Sequence, residues 1–90
     1  MSLNDTFREM RIFYSELNRF NDNLRSSMND LQKNHDRVSP LWQDDMRKEY
    51  DRQWQEFDEM MKNYLQREAP AYSQFLDQKL QDLARYLGHR

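Results

Sequence analysis

Residues 3–38 read LNDTFREMRIFYSELNRFNDNLRSSMNDLQKNHDRV. Within them Leu3, Met10, Leu17, Leu24, Leu31 and Val38 recur every seven residues, and Phe7, Tyr14 and Met28 fall four residues after members of that series. Apolar residues at a and d positions over five heptads specify a long amphipathic helix, with Asn21 and His35 as the polar interruptions of its seam. The pattern predicts a helix over about 3–36, about 50 Å long at 1.5 Å per residue. Phe13 and Phe20 widen the stripe, as expected of a helix packed against more than one neighbour.

Outward from this stretch, Ser39-Pro40 has the chemistry of a helix start. Ser accepts a bond from the orphan amides, and Pro at the first helical position loses no hydrogen bond. The sequence therefore predicts a turn at about 36–40 and a second helix over about 40–68, with Asp44 and Asp45 near the positive end of its dipole. Trp42, Met46, Tyr50, Trp54, Phe57, Met61 and Tyr64 recur at spacings of three or four, an aromatic-rich face. So short a connection makes the two helices antiparallel.

Pro70 either kinks this helix or begins a separate one over about 70–87. Tyr72, Leu76, Leu80, Leu83 and Leu87 continue the stripe beside Phe75, until Gly88 provides a C-terminal stop. With a turn centred near Val38, Leu3 would lie opposite residue 73. The later residues would then have no cover from their own chain. Phe75, Leu76, Leu80, Leu83 and Leu87, with Phe13 and Phe20, are accordingly the expected partner-binding residues. Either 74–90 fold back as a third helix, or another chain buries them.

The 90-residue chain is at most one domain and holds one Gly, two Pro, one Ile and one Val, so a β fold with its tight turns is excluded. Leu, Ile, Val and Phe number only 17, yet 12 aromatics and 6 Met supply bulk, and a net charge of −2 does not favour disorder. Acidic and basic residues are spread evenly along the chain, without the basic excess that selects nucleic acid or an anionic membrane. The apolar runs are too short for a membrane-spanning helix or a signal-peptide core. The expected location is the cytoplasm, with export by a non-Sec route as the alternative.

Trp42 is followed by Asp44, Met46, Tyr50 and Trp54 at +2, +4, +8 and +12. This spacing resembles the WXG family of helical hairpins of about a hundred residues, in which a Trp-x-Gly turn precedes aromatics at comparable positions. Asp44 stands where that family has Gly. The resemblance implies an antiparallel hairpin that pairs into a four-helix homo- or heterodimer, and a role as a substrate or pairing partner in type VII secretion with its FtsK/SpoIIIE-like ATPase. Tyr64 and Glu68 match the family's Tyr-x-x-x-Asp/Glu export pattern but lie inside the second helix, whereas Tyr86 is followed at +4 by Arg90. A cytoplasmic adaptor or assembly subunit is the alternative reading.

Chemistry has no candidate residues. There is no Cys, no Glu-x-x-His pair of the kind that holds di-iron in bundles, no Ser/His/Asp arrangement and no phosphate-cradling glycine loop. The run Asp44, Asp45, Glu49 and Asp51 reads as a solvated helix N-terminus. His35 reads as a partly exposed seam residue, with His89 at the far end of the hairpin. Trp42 near the turn is expected to be partly exposed, and Trp54 buried. Asn21 either sets register in the seam or lies at its margin. The expectation is a non-catalytic all-α protein without cofactor or metal, whose partner is a second copy or another hairpin.

Overall fold

The computed structural model describes residues 2–88; the expectations for His89 and Arg90 fall outside them. Among the described residues the chain is helical without strands: α1 over Leu3–Val38, a 3-10 turn over Ser39–Leu41, α2 over Met46–Asn63, a π turn over Tyr64–Glu68 and α3 over Ala69–Tyr86. Ser2 and Asp5 close a reciprocal capping box at the start of α1, each backbone N–H donating to the other's side chain. Leu87 and Gly88 end α3, with Gly88 in the left-handed region at φ 78° and its N–H donating to the Arg85 carbonyl.

Pro70 lies in the first turn of α3. Its ring lacks an N–H and would collide with the carbonyl four residues back. The helix accommodates this by widening, so that the Ala69 N–H donates to the Tyr64 carbonyl, five residues earlier. Asn63, Tyr64, Glu68 and Ala69 all keep right-handed helical angles. Thus α2 and α3 follow one another without an intervening loop and form one arm.

Cross-arm bonds set the topology. The Ser73 hydroxyl donates to Asn18 Oδ1 at 2.7 Å, the Tyr64 hydroxyl donates to Asn21 Oδ1 at 2.8 Å, and His35 Nδ1 is hydrogen-bonded to the Tyr50 hydroxyl at 2.8 Å. As the α1 number rises from 18 to 35, the partner number falls from 73 to 50, so the arms are antiparallel. The hairpin measures 64 × 22 × 16 Å with a radius of gyration of 19.6 Å. A compact chain of this length would have about 12 Å.

The register corrects the expected turn. The second helix begins at Met46 rather than near residue 40, and the connection occupies 39–45. Ser39 does not cap a new helix. It closes α1, its N–H donating to the His35 carbonyl, and Pro40 ends the α-helical ladder because it has no N–H to continue it. The six-residue delay lengthens α1's reach along the second arm. Leu3 and Met10 line a groove with Leu83 and Tyr86, instead of facing residue 73. Leu76 and Leu80, at 7% and 8% exposure, are therefore buried by their own chain, while Leu83 and Leu87 are half-buried. The premise that residues beyond 73 lack an intrachain partner does not hold.

The heptad reading of α1 is corrected in a second way. The d series, Phe7, Tyr14, Asn21, Met28 and His35, crosses the contact line: Asn21 and Met28 in its middle are buried and the other three are half-buried. The a series drifts off it, from half-buried Leu17 and Leu24 to exposed Leu31 and Val38. A helix of 3.6 residues per turn rotates about 20° per heptad relative to a strict seven-residue repeat, which over five heptads is about a quarter turn.

Asn21 is thus a seam residue, 6% exposed and satisfied by Tyr64. Tyr64→Phe leaves its buried oxygen without that donor and is expected to cost about 1 to 3 kcal/mol in chemical denaturation, whereas Asn21→Leu combined with Tyr64→Phe should recover most of the loss.

The termini have a pH dependence of known sign. The Ser2 backbone N–H and hydroxyl hold the Asp5 carboxyl below its ordinary range, and the side chains of Gln78 and then Arg85 do the same for Asp82. A carboxylate whose pKa is lower in the folded than in the unfolded chain stabilises fully above its unfolded value, and the contribution is lost as pH falls through the folded value. Helicity at both ends should be constant near neutrality and fray below about pH 4, as residue-resolved amide exchange would register.

Candidate functional site

Two regions stand out, an aromatic cluster at the closed end of the hairpin and an apolar face along its length. In the cluster, His35 stacks on Trp54 with ring centroids 4.3 Å apart and planes 10° from parallel, Trp42 packs on Tyr50 at 5.1 Å, and Trp54 meets Phe57 at 5.8 Å. His35, Trp42, Tyr50 and Trp54 are all half-buried. Trp54 is therefore not the deep core residue expected from its spacing. At this end only one helix faces it, so its outer edge remains in solvent.

Asp44 organises the connection. The same Oδ1 accepts the Trp42 indole N–H at 2.6 Å and the Met46 backbone N–H at 2.9 Å, and the Arg47 N–H donates to the Asp44 carbonyl at 3.1 Å. One carboxylate oxygen thereby holds the turn's Trp and satisfies a donor at the start of α2. Arg47 joins the two sides, with Nη2 donating to buried Ser39 Oγ at 3.0 Å and Nε to Asp51 Oδ2 at 3.3 Å. Among the described residues no non-glycine has positive φ, so position 44 does not require a glycine.

The second region follows from helix geometry. At about 100° per residue, Phe13, Phe20, Leu31 and Val38 fall on one flank of α1, within about 20° of one another, and all four are exposed. Met46 and Phe57 occupy the equivalent flank of α2, and Phe75 and Tyr86 that of α3, again exposed. Antiparallel arms are related by a two-fold axis normal to their common plane, so equal rotation from the contact line puts these flanks on the same side of the hairpin. Leu17, Tyr64, Ala71, Tyr72 and Phe75 line a groove at its middle. A second groove is lined by Met28 and Leu65 together with Arg25, Asn29, Gln32, Asp58, Lys62 and Gln66. The large exposed aromatic and aliphatic side chains of both arms thus gather on one flank, while this groove is bordered by charged and amide side chains.

Of the residues expected to bind a partner, Phe13, Phe20 and Phe75 are 50–55% exposed on the apolar face. Leu83 and Leu87 contribute less surface, and Leu76 and Leu80 already form the hairpin core. Sequence reasoning placed Leu31 and Val38 in the seam, because a seven-residue repeat conceals its own rotation, and gave no surface role to Phe57 and Tyr86, which lie outside that repeat. Among the described residues no three His, Asp or Glu side chains cluster closely enough to hold a metal ion, and no helix is long and apolar enough to cross a membrane. Comparison with family models, curated proteins and solved structures gives no match.

Because Asp44 serves two donors, Asp44→Gly should weaken the closed end by about 1 to 2 kcal/mol rather than improve the turn. Trp54→Ala, which removes a half-buried stacked ring, should cost about 2 kcal/mol, less than the roughly 3 to 5 typical of a buried aromatic. Thermal denaturation of both variants, with the indole fluorescence of Trp42 in the second, separates the two effects.

Proposed function

We propose that this protein is a non-catalytic helical interaction module whose apolar face is covered by a second helical hairpin, completing a four-helix assembly. The observation that carries this reading is the exposed ridge of Phe13, Phe20, Leu31 and Val38 alongside Phe57, Phe75 and Tyr86. A two-helix slab has one line of internal contact, and among the described residues no large side chain is fully buried. So many large apolar side chains exposed on one face are seldom left open to water in a soluble monomer.

The antiparallel hairpin and the aromatic turn are in keeping with the resemblance to the WXG family. On that basis the module is a substrate or pairing partner in a type VII-like secretion system, and its partner is either a second copy or a related hairpin. One observation favours the other reading, a cytoplasmic adaptor that is not exported. The Tyr64 hydroxyl is committed to Asn21 within the seam, and Glu68 sits at the other end of the same π turn. A Tyr-x-x-x-Glu pattern held this way is part of the fold, whereas an export signal needs to be readable from outside. Deleting the FtsK/SpoIIIE-like ATPase of the producing cell and assaying the culture medium decides between the two, since only the first requires ATPase-dependent export.

Association itself is tested by Phe20→Asp combined with Phe75→Asp. Both side chains are about half exposed, so the hairpin should keep its helical circular dichroism. Burying the remaining surface of two Phe contributes about 2 to 3 kcal/mol, and two buried carboxylates would cost more, so affinity should fall by at least about a hundredfold in sedimentation equilibrium. Leu80→Asp, in contrast, should unfold the chain. A wild-type protein that remains monomeric at micromolar concentration and captures no other hairpin would refute the module reading.

A further inference from the structure

We infer that the apolar face receives a helix of a different protein, one whose leucine-type stripe is bordered by lysine or arginine, and that Glu68 at the π-turn groove pairs with one of those cations. This rests on the interaction reading above and specifies the partner's chemistry.

The argument is the direction in which the ion pairs are turned. Arg19, Arg52 and Arg85 pair with Glu16, Glu49 and Asp82, each acid standing three residues before its arginine. Three residues are about 300° of rotation, or 60° in the opposite sense. In all three pairs that step places the carboxylate nearer the apolar flank and the guanidinium farther round toward the back. On both arms these ion pairs thus turn their carboxylate end toward anything covering the face. Hydrogen bonds from Arg52 and Gln53 hold the Glu49 carboxyl below its ordinary range, and that of Asp82 is lowered likewise, so these two are ionised at neutral pH. Lys79 lines the groove of Leu3, Met10, Leu83 and Tyr86 within the face, its ammonium over the Phe75 ring, 5.5 Å from the centroid.

Glu68 adds a charge inside the border. It lines the groove with Leu17, Ala71, Tyr72 and Phe75, the place where the π turn widens the second arm. An apolar side chain entering this groove brings its helical neighbours at three or four residues beside Glu68. Lysine or arginine there gains an ion pair at the edge of a partly dehydrated contact. A second copy of this chain would instead bring these carboxylates against carboxylates, and juxtaposed like charges select against a partner.

The test uses the full chain and two synthetic amphipathic helical peptides with the same leucine seam, one flanked by lysines and one by glutamates. Titration by calorimetry, with NMR shift mapping, should show the lysine peptide binding at least about tenfold more tightly, the difference shrinking as salt screens these charges. Shifts should concentrate at Leu17, Ala71 and Phe75. Glu68→Gln should narrow the preference and Glu68→Lys should reverse it at the groove, with circular dichroism confirming that both variants are folded. Equal binding of the two peptides, shifts on the opposite face, or an unchanged preference in both variants overturns the inference while leaving an interaction module intact. Failure to bind either peptide also overturns it; sedimentation then shows either a homodimer, making a second copy the occupant, or a monomer, which removes the module reading as well.

Discussion

Two helices lying side by side meet along a single line, and that limit governs the rest of this molecule. Each arm presents about one residue per turn to that line, and even of these only Asn21, Met28, Ala69, Leu76 and Leu80 are buried along the seam, the others being half-buried or exposed. Everything rotated away from the line stays exposed whatever its character. The large apolar residues on one flank therefore remain in solvent although the chain is fully helical, and a radius of gyration of 19.6 Å records the same fact as shape.

A seam with so little apolar area invites slippage, and polar residues counter it. Leucines in a line can slide by a turn at modest cost, but a buried amide without its donor costs a large share of the stability of a small domain. Asn21 with Tyr64, Asn18 with Ser73 and His35 with Tyr50 are spaced along the arms as three pins, of which buried Asn21 is the one a slipped register would leave without a donor. The buried polar residue acts here as it does in coiled coils, specifying alignment more than adding stability. Pro70 is part of the same arrangement, since the π turn that accommodates it begins at Tyr64.

The two ends of the hairpin solve different problems. At the open end the capping box of Ser2 and Asp5 and the glycine stop at Gly88 satisfy backbone groups without tertiary help. At the closed end Asp44 and Arg47 hold an irregular seven-residue connection together by side-chain bonds, and the stacked rings of His35 and Trp54 fill the space between the arms beside it. The closed end thus depends on particular side chains, and the apolar face depends only on helical phase.

Helical class, the existence of two arms and their antiparallel sense were legible in the sequence, because periodicity and the scarcity of Gly, Pro and β-branched residues are local properties. So were the stop at Gly88 and the exposure of Phe13, Phe20 and Phe75; the two bonds that Asp44 accepts were not, since the sequence reads it only as a solvated acid at a helix start. The register was not. Ser39-Pro40 is equally suited to start a helix or to end one, and the choice depends on Arg47 and Asp44 reaching back across the turn, contacts that exist only once the arms are together. That displacement of six residues moved Leu76 and Leu80 from a presumed partner surface into the core. Nor could a count of heptads locate the outer face, since whether a helix supercoils to keep its seven-residue stripe in contact, or stays at 3.6 residues per turn and lets it rotate into solvent, is decided by what packs against it.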